Sequence, residues 1–361
     1  MPPRTFSHLS RRSLMLATLA AAAAPASWAL PARTLQFPRD FGSHPDLQTE
    51  WWYITGHAKT AAGREFGFQV TFFRSRVDAA QSLRSAFAAK HLVFAHAAVT
   101  DLQGRVLLHD QRIDRAGFGI ASASEADTDV RLRNWSLLRN NKDGSYSAHI
   151  PAADFSIDLR FTPTQPVLLQ GKAGLSRKGP EEAQASYYYS EPQLRTQGKL
   201  ALKKGQTFDV DGTAWLDHEW SEALMHSDAV GWDWIGMNLD DGSALTAFRL
   251  RRADGGALWA GGSFRTREGA LRSFGSDEVR FDGTKAWSSP RTQAKYPTQW
   301  RVQTPSGNFE VRALLDDQEL DSRGSTGGVY WEGVSDLLDL EGRRIGRGYL
   351  EMTGYAAPLR L

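Results

Sequence analysis

From residue 30 onward the chain advances in short stretches where apolar and polar residues alternate, each broken by Gly, Asp or Asn, with little sustained 3.6-residue periodicity. A period of two is the mark of strands with one face buried, so the chain reads as all-β. Strands are expected over residues 49–57, 64–74, 91–101, 105–114, 135–139, 146–150 and 155–162. A second set is expected over 207–220, 232–238, 244–251, 258–265, 300–304, 309–315, 329–334 and 347–353. Between the sets, residues 162–185 hold three prolines, three glycines and mixed charge, which suits a surface crossover. Residues 79–90 are the clearest candidate for a short helix.

The two sets share landmarks in one order. Trp51-Trp52-Tyr53-Ile54 is echoed by Trp232-Asp233-Trp234-Ile235, each leads to a strand ending in Phe-Arg (Phe73-Arg74, Phe248-Arg249), and a tryptophan strand follows at Trp135 and at Trp300. One fold used twice is the simplest cause. Two tandem antiparallel barrels would remove exposed sheet edges by closure, and barrels of about eight strands leave room for one small ligand. A pair of open sandwiches is the competing architecture. The expected division is residues 30–185 for the first barrel and 186–361 for the second.

The first 29 of the 361 residues read as an export signal. Ser10-Arg11-Arg12-Ser13-Leu14-Met15 precedes a short alanine-rich apolar run, and Ser27-Trp28-Ala29 offers small residues to a peptidase. The paired arginine resembles a twin-arginine signal, with a general secretory signal as the alternative. The expected destination is the periplasm or the exterior. Removing three arginines and no acid leaves 40 basic against 41 acidic residues, a mature net charge of minus one. No basic tract stands out, which argues against a nucleic-acid partner. No further apolar run reaches the length of a membrane span, so stable membrane insertion is not expected. Cysteine is absent, which removes disulfides, thiolate metal sites and cysteine nucleophiles.

In a regular strand Leu216, His218 and Trp220 share one face while Asp217 and Glu219 share the other. Asp217 can orient its neighbour His218 only if a bulge re-aims it. A face of Leu, His and Trp suits the wall of an apolar cavity, where the imidazole would act as general acid or base and the Trp220 indole would stabilise a developing cation. The alternative is a hydrogen-bonded core histidine beside a packing tryptophan. Glu50 and Trp52 face one way, Trp51 and Tyr53 the other. A carboxyl buried against aromatics would serve as proton donor; otherwise Glu50 binds backbone amides at the barrel mouth or pairs with Arg74 or Arg249. Trp232 and Trp234 repeat the pattern around Asp233, which reads as structural. The spacings of His91 with His96 and of His218 with His226 are not ligand signatures, so no metal is expected, nor any other cofactor. No G-x-S-x-G elbow and no Gly-rich phosphate loop is present; Ser221 and Ser227 are the only serines near His218.

Several motifs together resemble a known family. They are His44-Pro45-Asp46; Glu50-Trp51-Trp52-Tyr53-Ile54-Thr55-Gly56-His57; Phe66-Gly67-Phe68-Gln69-Val70-Thr71-Phe72-Phe73-Arg74; and Phe94-Ala95-His96-Ala97-Ala98-Val99-Thr100-Asp101. Trp215-Leu216-Asp217-His218-Glu219-Trp220-Ser221, Gly231-Trp232-Asp233-Trp234 and Gly348-Tyr349-Leu350-Glu351-Met352-Thr353-Gly354-Tyr355 continue the match. The pattern, over about residues 41–355, resembles the lipocalin-like proteins of the AttH and carotenoid 1,2-hydratase group. The resemblance implies tandem lipocalin-like barrels and an apolar small-molecule ligand, a lipid or isoprenoid. It further implies either cofactor-free hydratase, isomerase or hydrolase chemistry, or a carrier role beside an ABC export system. The hydratases' Asp-His-x-Trp segment is present as Asp217-His218-Glu219-Trp220, whereas their downstream Tyr-x-Asp pair is missing from Ala244-Leu245-Thr246-Ala247-Phe248-Arg249. That loss counts against carotenoid hydration specifically. The expected catalytic set is His218, Asp217 and Glu50, with Trp220, Trp52, Tyr53, Trp232, Trp234 and His96 around the ligand.

Overall fold

The structure, a computed structural model, describes residues 30–203, 205–223 and 225–359; the expected export signal lies outside them. In the first half the strands are β1 (Thr49–Lys59), β2 (Glu65–Arg76), β3 (His91–Asp101), β4 (Val106–Arg115), β5 (Ala121–Ala123), β6 (Asp129–Leu132), β7 (Trp135–Arg139), β8 (Tyr146–Pro151) and β9 (Phe155–Thr162). Then follow β10 (Leu168–Leu169), β11 (Leu175–Arg177), β12 (Ala185–Leu202) and β13 (Gln206–Ala223). They form one antiparallel sheet in the order β4-β3-β2-β1-β13-β12-β9-β8-β7-β6-β5, with β10 and β11 also pairing with β12. The sheet curls until β3 and β4 meet β5 and β6. Across that join Arg133 pairs with Asp114 at 2.8 Å, and Arg112 donates to the Pro151 carbonyl at 3.1 Å.

The second half contains β14 (Gly231–Leu239), β15 (Ala244–Arg251), β16 (Ala257–Arg265), β17 (Leu271–Phe274), β18 (Arg280–Ser288), β19 (Lys295–Thr304), β20 (Gly307–Ala313), β21 (Glu319–Ser322), β22 (Gly328–Leu338) and β23 (Arg344–Met352). Their order is β17-β16-β15-β14-β23-β22-β20-β19-β18, with β21 also on β22. Counted outward from β1/β13 and from β14/β23, the two halves have the same strand connections. The repeated fold is therefore real, and the protein is two tandem lipocalin-like antiparallel barrels. One landmark fails this count. Trp135 lies on β7, the fifth strand outward from β1, while Trp300 lies on β19, the fourth outward from β14.

The division expected after residue 185 falls at the start of a strand of the first sheet. β12 pairs with both β9 and β13, so that sheet runs to residue 223. β12 escaped the sequence reading because residues 185–192 are buried without interruption, one face toward the first core and the other toward the second barrel, which hides any alternation. Bulges at its Ala185/Tyr187 and Glu191/Leu194 steps break the period further. The expected helix over 79–90 shrinks to one turn, α1 (Asp78–Gln81).

Each barrel has its own aromatic core. Trp52, Phe66, Phe68, Phe72, Trp135, Tyr146 and Trp220 fill the first; Tyr296, Trp300 and Trp331 fill much of the second. Burying one such side chain is worth roughly 1.5–3 kcal/mol. The barrels meet through equivalent strands, β1 against β23 and β13 against β14. Tyr53 packs edge-on against Trp234, its counterpart in the repeat, at 5.4 Å between ring centres. A side chain at Gly67 would land 2.8 Å from Val334 and from the Tyr349 hydroxyl, so only glycine lets β2 approach so closely.

This seam holds acids without basic partners. Glu332 of β22 sits directly across from Glu351 of β23, and neither of its buried carboxylate oxygens has a hydrogen-bond partner among the described residues. Burial, reinforced by the Glu351 charge, pushes the Glu332 carboxyl well above the ordinary range. The unfolded chain would release this proton near pH 4.5, the folded chain only at higher pH, so the group's contribution is full at low pH and is lost as pH rises. Glu332→Gln should therefore gain stability over the parent as pH is raised from about 5 to about 8. Paired urea titrations across that range would show this, and a difference that is flat with pH would refute it.

Candidate functional site

Residues 30–48 cross the mouth of the first barrel before β1 begins, held by hydrogen bonds from Thr128 and the Trp52 indole to the Phe41 carbonyl, 2.8 and 3.3 Å. The crossing brings Asp40, Ser43 and His44 down onto Glu50. The register of β1 with β13 sets Glu50 opposite Trp220 and Trp52 opposite His218, and these four side chains point into the barrel as strand alternation requires.

Glu50 is fully buried and collects donors on both oxygens. Oε1 faces His44 Nδ1 at 2.7 Å and His218 Nε2 at 3.0 Å; Oε2 accepts from Ser43 Oγ at 2.7 Å and Arg74 Nε at 3.0 Å. The His44 amide adds a further bond at 2.9 Å. Burial alone would raise this carboxyl, but the hydrogen bonds from His218 and His44 hold it well below the usual range. Glu50 is therefore a fixed carboxylate, not the proton donor that a greasy pocket would make. Its pairing with Arg74 was one of the two outcomes the sequence left open.

The two histidines differ. Both ring nitrogens of His44 face carboxylates, Nδ1 that of Glu50 and Nε2 that of Asp40 at 2.9 Å. His218 gives its Nε2 proton to Glu50, leaving Nδ1 to accept from the Tyr189 hydroxyl at 3.1 Å. Burial lowers its pKa to about 4 against the pull of Glu50, so this ring is neutral near pH 7. The Trp220 face is already covered, since the His44 ring stacks on it at 3.9 Å and 3°. Trp52 stacks on His218 at 4.6 Å.

Behind Tyr189 lie Tyr146 and Glu191, joined by a 2.5 Å bond from the Tyr146 hydroxyl. Burial pushes Glu191 up to about 7, against the Tyr146 hydrogen bond and the Arg139 charge. The first barrel thus holds a carboxylate between two imidazoles, one of them a neutral base, and an acid that titrates near neutrality. His44, Glu50 and His218 also present three ligand atoms within 4.8 Å of one another, a set a metal could use. Histidine spacing in the sequence could not reveal it, because His44 arrives from the crossing segment. A cation there would displace both imidazole bonds and share Glu50 with Arg74.

A cleft of about 780 Å³ opens above this cluster, its walls including Arg74, Arg76, His91, Ser43, Val93 and Ala123. Ser43 and Arg74 touch the cleft on one side and Glu50 on the other. His218 is wholly buried beneath them.

The other expected site residues lie elsewhere. Asp217 is on the opposite face of β13 from His218 and no bulge re-aims it. It is bound by the Trp215 indole at 2.6 Å and the hydroxyls of Tyr188 at 2.7 Å and Ser190 at 2.5 Å, and burial raises it to about 7. Tyr53, Trp232 and Trp234 belong to the seam. His96, on the outer face of β3, bonds Tyr330 and Ser325 of the second barrel at 2.9 and 2.8 Å, and burial lowers it to about 3. The structure thus assembles Glu50, His218, Trp52 and Trp220 but not Asp217, Tyr53, His96, Trp232 or Trp234. The reading assigned no role to Asp40, Ser43, Tyr146, Tyr189 or Glu191; His44 alone carried a signal, as part of the family-like His44-Pro45-Asp46.

Comparison with known proteins agrees with this architecture. The AttH-like family model matches residues 28–355. A crystal structure of an AttH protein from Nitrosomonas europaea is 46% identical, covers 91% of this chain and 99% of its own, and superposes with a TM-score of 0.84. Kievitone hydratase from Nectria haematococca shares the fold at 14% identity and a TM-score of 0.67, covering 91% of this chain and 98% of its own. CghA with Sch210972 does so at 13% and 0.57, covering 92% and 96%. Comparison with curated proteins finds no match. The match along nearly the whole described chain, on a tandem-barrel fold, makes this protein a member of the AttH-like family.

Proposed function

We propose that the protein is an acid–base catalyst acting on an apolar small molecule, a lipid or isoprenoid, at the mouth of its first barrel, without a cofactor. The observation that carries this reading is the buried Glu50 carboxylate, bridging His44 and a neutral His218 directly beneath the cleft. Arg74 and Arg76 suit a polar end of the ligand, while Val93, Ala116 and Ala123 offer apolar wall. The name of kievitone hydratase, which shares the fold, supports a hydration or dehydration. In such a step one alkene carbon takes a proton, water adds to the other, and the base accepts the proton that water releases, so none is consumed overall.

His218→Gln should lower turnover by about 10²–10⁴-fold while ligand affinity changes little. The measurement is mass spectrometry of prenyl lipids and hydroxylated aromatics for gain or loss of one water, beside direct binding of the same compounds. The complete burial of Glu50 and His218 favours a second reading, a carrier that binds the ligand without converting it. Binding with no turnover in the parent would decide for the carrier, and turnover undiminished in the variant would remove His218 from the chemistry.

Export by the twin-arginine route belongs to the same proposal and rests on Arg11-Arg12 and the apolar run after them. Replacing both arginines by lysine should retain the protein in the cytoplasm, as cell fractionation would show; unchanged export would assign it to the general route. An ABC-type export system is the partner proposed for the carrier reading.

A further inference from the structure

Beside the cleft the first barrel exposes an unusual amount of apolar surface. Phe87 is 72% exposed, Phe118 56% and Leu83 50%. They lie on two loops, residues 82–90 before β3 and 116–120 after β4. The Phe87 and Phe118 rings stack at 5.6 Å. The Arg115 guanidinium lies 4.3 Å from the Phe118 ring and 5.6 Å from the Phe87 ring, and donates to the Phe87 carbonyl at 2.6 Å. These contacts fix the two loops as one projecting edge. The edge borders a second cleft of about 600 Å³, which shares Gln81, His91 and Ala116 with the larger one.

Its charge has one sign. Arg84, Lys90 and Arg115 stand among the exposed rings, and residues 79–100 and 115–124 contain no acid. The acids that flank these stretches in sequence are paired, Asp78 with Arg76, Asp114 with Arg133 and Glu125 with Arg39 at 3.4 Å. Exposed aromatics ringed by unneutralised bases are complementary to a surface with an apolar interior and an anionic face. We propose that this edge docks on an anionic phospholipid surface, which sets the mouth of the first barrel against the membrane. Phe87, Phe118 and Leu83 enter the interfacial layer while Arg84, Lys90 and Arg115 meet the phosphates. Passage of an apolar ligand from the bilayer into the cleft would rest on the function proposed above; docking itself does not.

The test is flotation of the purified protein with vesicles of phosphatidylcholine, with and without phosphatidylglycerol. Binding is expected only with the anionic lipid, weakening as salt is added. Phe87→Ser with Phe118→Ser should reduce it by about tenfold or more, and Lys90→Gln by about fivefold. All three positions lie on loops, and unchanged thermal unfolding of the variants would show that the fold is kept. No binding to anionic vesicles, equal binding to neutral ones, or binding indifferent to the phenylalanines would overturn the proposal. So would concentration-dependent self-association lost in the same variants, which would assign the edge to a second copy of the chain. Vesicle binding that survives loss of turnover in His218→Gln separates docking from catalysis.

Discussion

The pairing of β1 with β13 fixes most of what this molecule can do. Both strands are buried on both faces, inward toward the first core and outward toward the second barrel. A slip of one residue would send His218, Trp220, Glu50 and Trp52 into the seam and draw Asp217 and Tyr53 inside. Two buried surroundings reject that slip, the inward one pairing Glu50 with His44, His218 and Arg74, the outward one holding Asp217 on Trp215, Tyr188 and Ser190. The register is therefore determined twice, and the inward face receives its histidine and carboxylate in fixed places.

The barrels share strand order but not chemistry. Where β1 sets Trp52 against His218, β14 sets Asp233 against Met352. The second barrel's buried acid is held by Arg249 at 2.8 Å, Arg251 at 3.2 Å and the Tyr355 hydroxyl at 2.8 Å. Arginine stays charged under all physiological conditions, and this ion-paired cluster reads as structural. The first barrel joins its buried acid to two imidazoles as well as to one arginine. The two copies share the container, and a few inward residues give the first its carboxylate between two imidazoles.

The site depends on a segment outside the barrel strands. Asp40, Ser43 and His44 sit on the crossing chain, and without it Glu50 would lose three of its donors and His44 would not reach Trp220. The same crossing covers the barrel mouth. The cleft opens on the side where Arg74 and His91 line it, next to the loops carrying Phe87 and Phe118.

Much of this was legible from the residues. Alternation showed strands, the Trp51 and Trp232 landmarks showed duplication, and the parity of positions 216–220 correctly separated His218 from Asp217. The aromatic echo was misleading in one respect: Tyr53, Trp232 and Trp234 looked like ligand contacts because they flank candidate acids, yet they are the surfaces through which the barrels adhere. Sequence determined the period, the repeat and which residues share a face, because these follow from local geometry along a strand. Only the tertiary structure decided which face looks inward and which remote segment completes the site. Those outcomes depend on contacts between residues as far apart as His44 and Trp220, or His96 and Tyr330, and no local pattern encodes such distances.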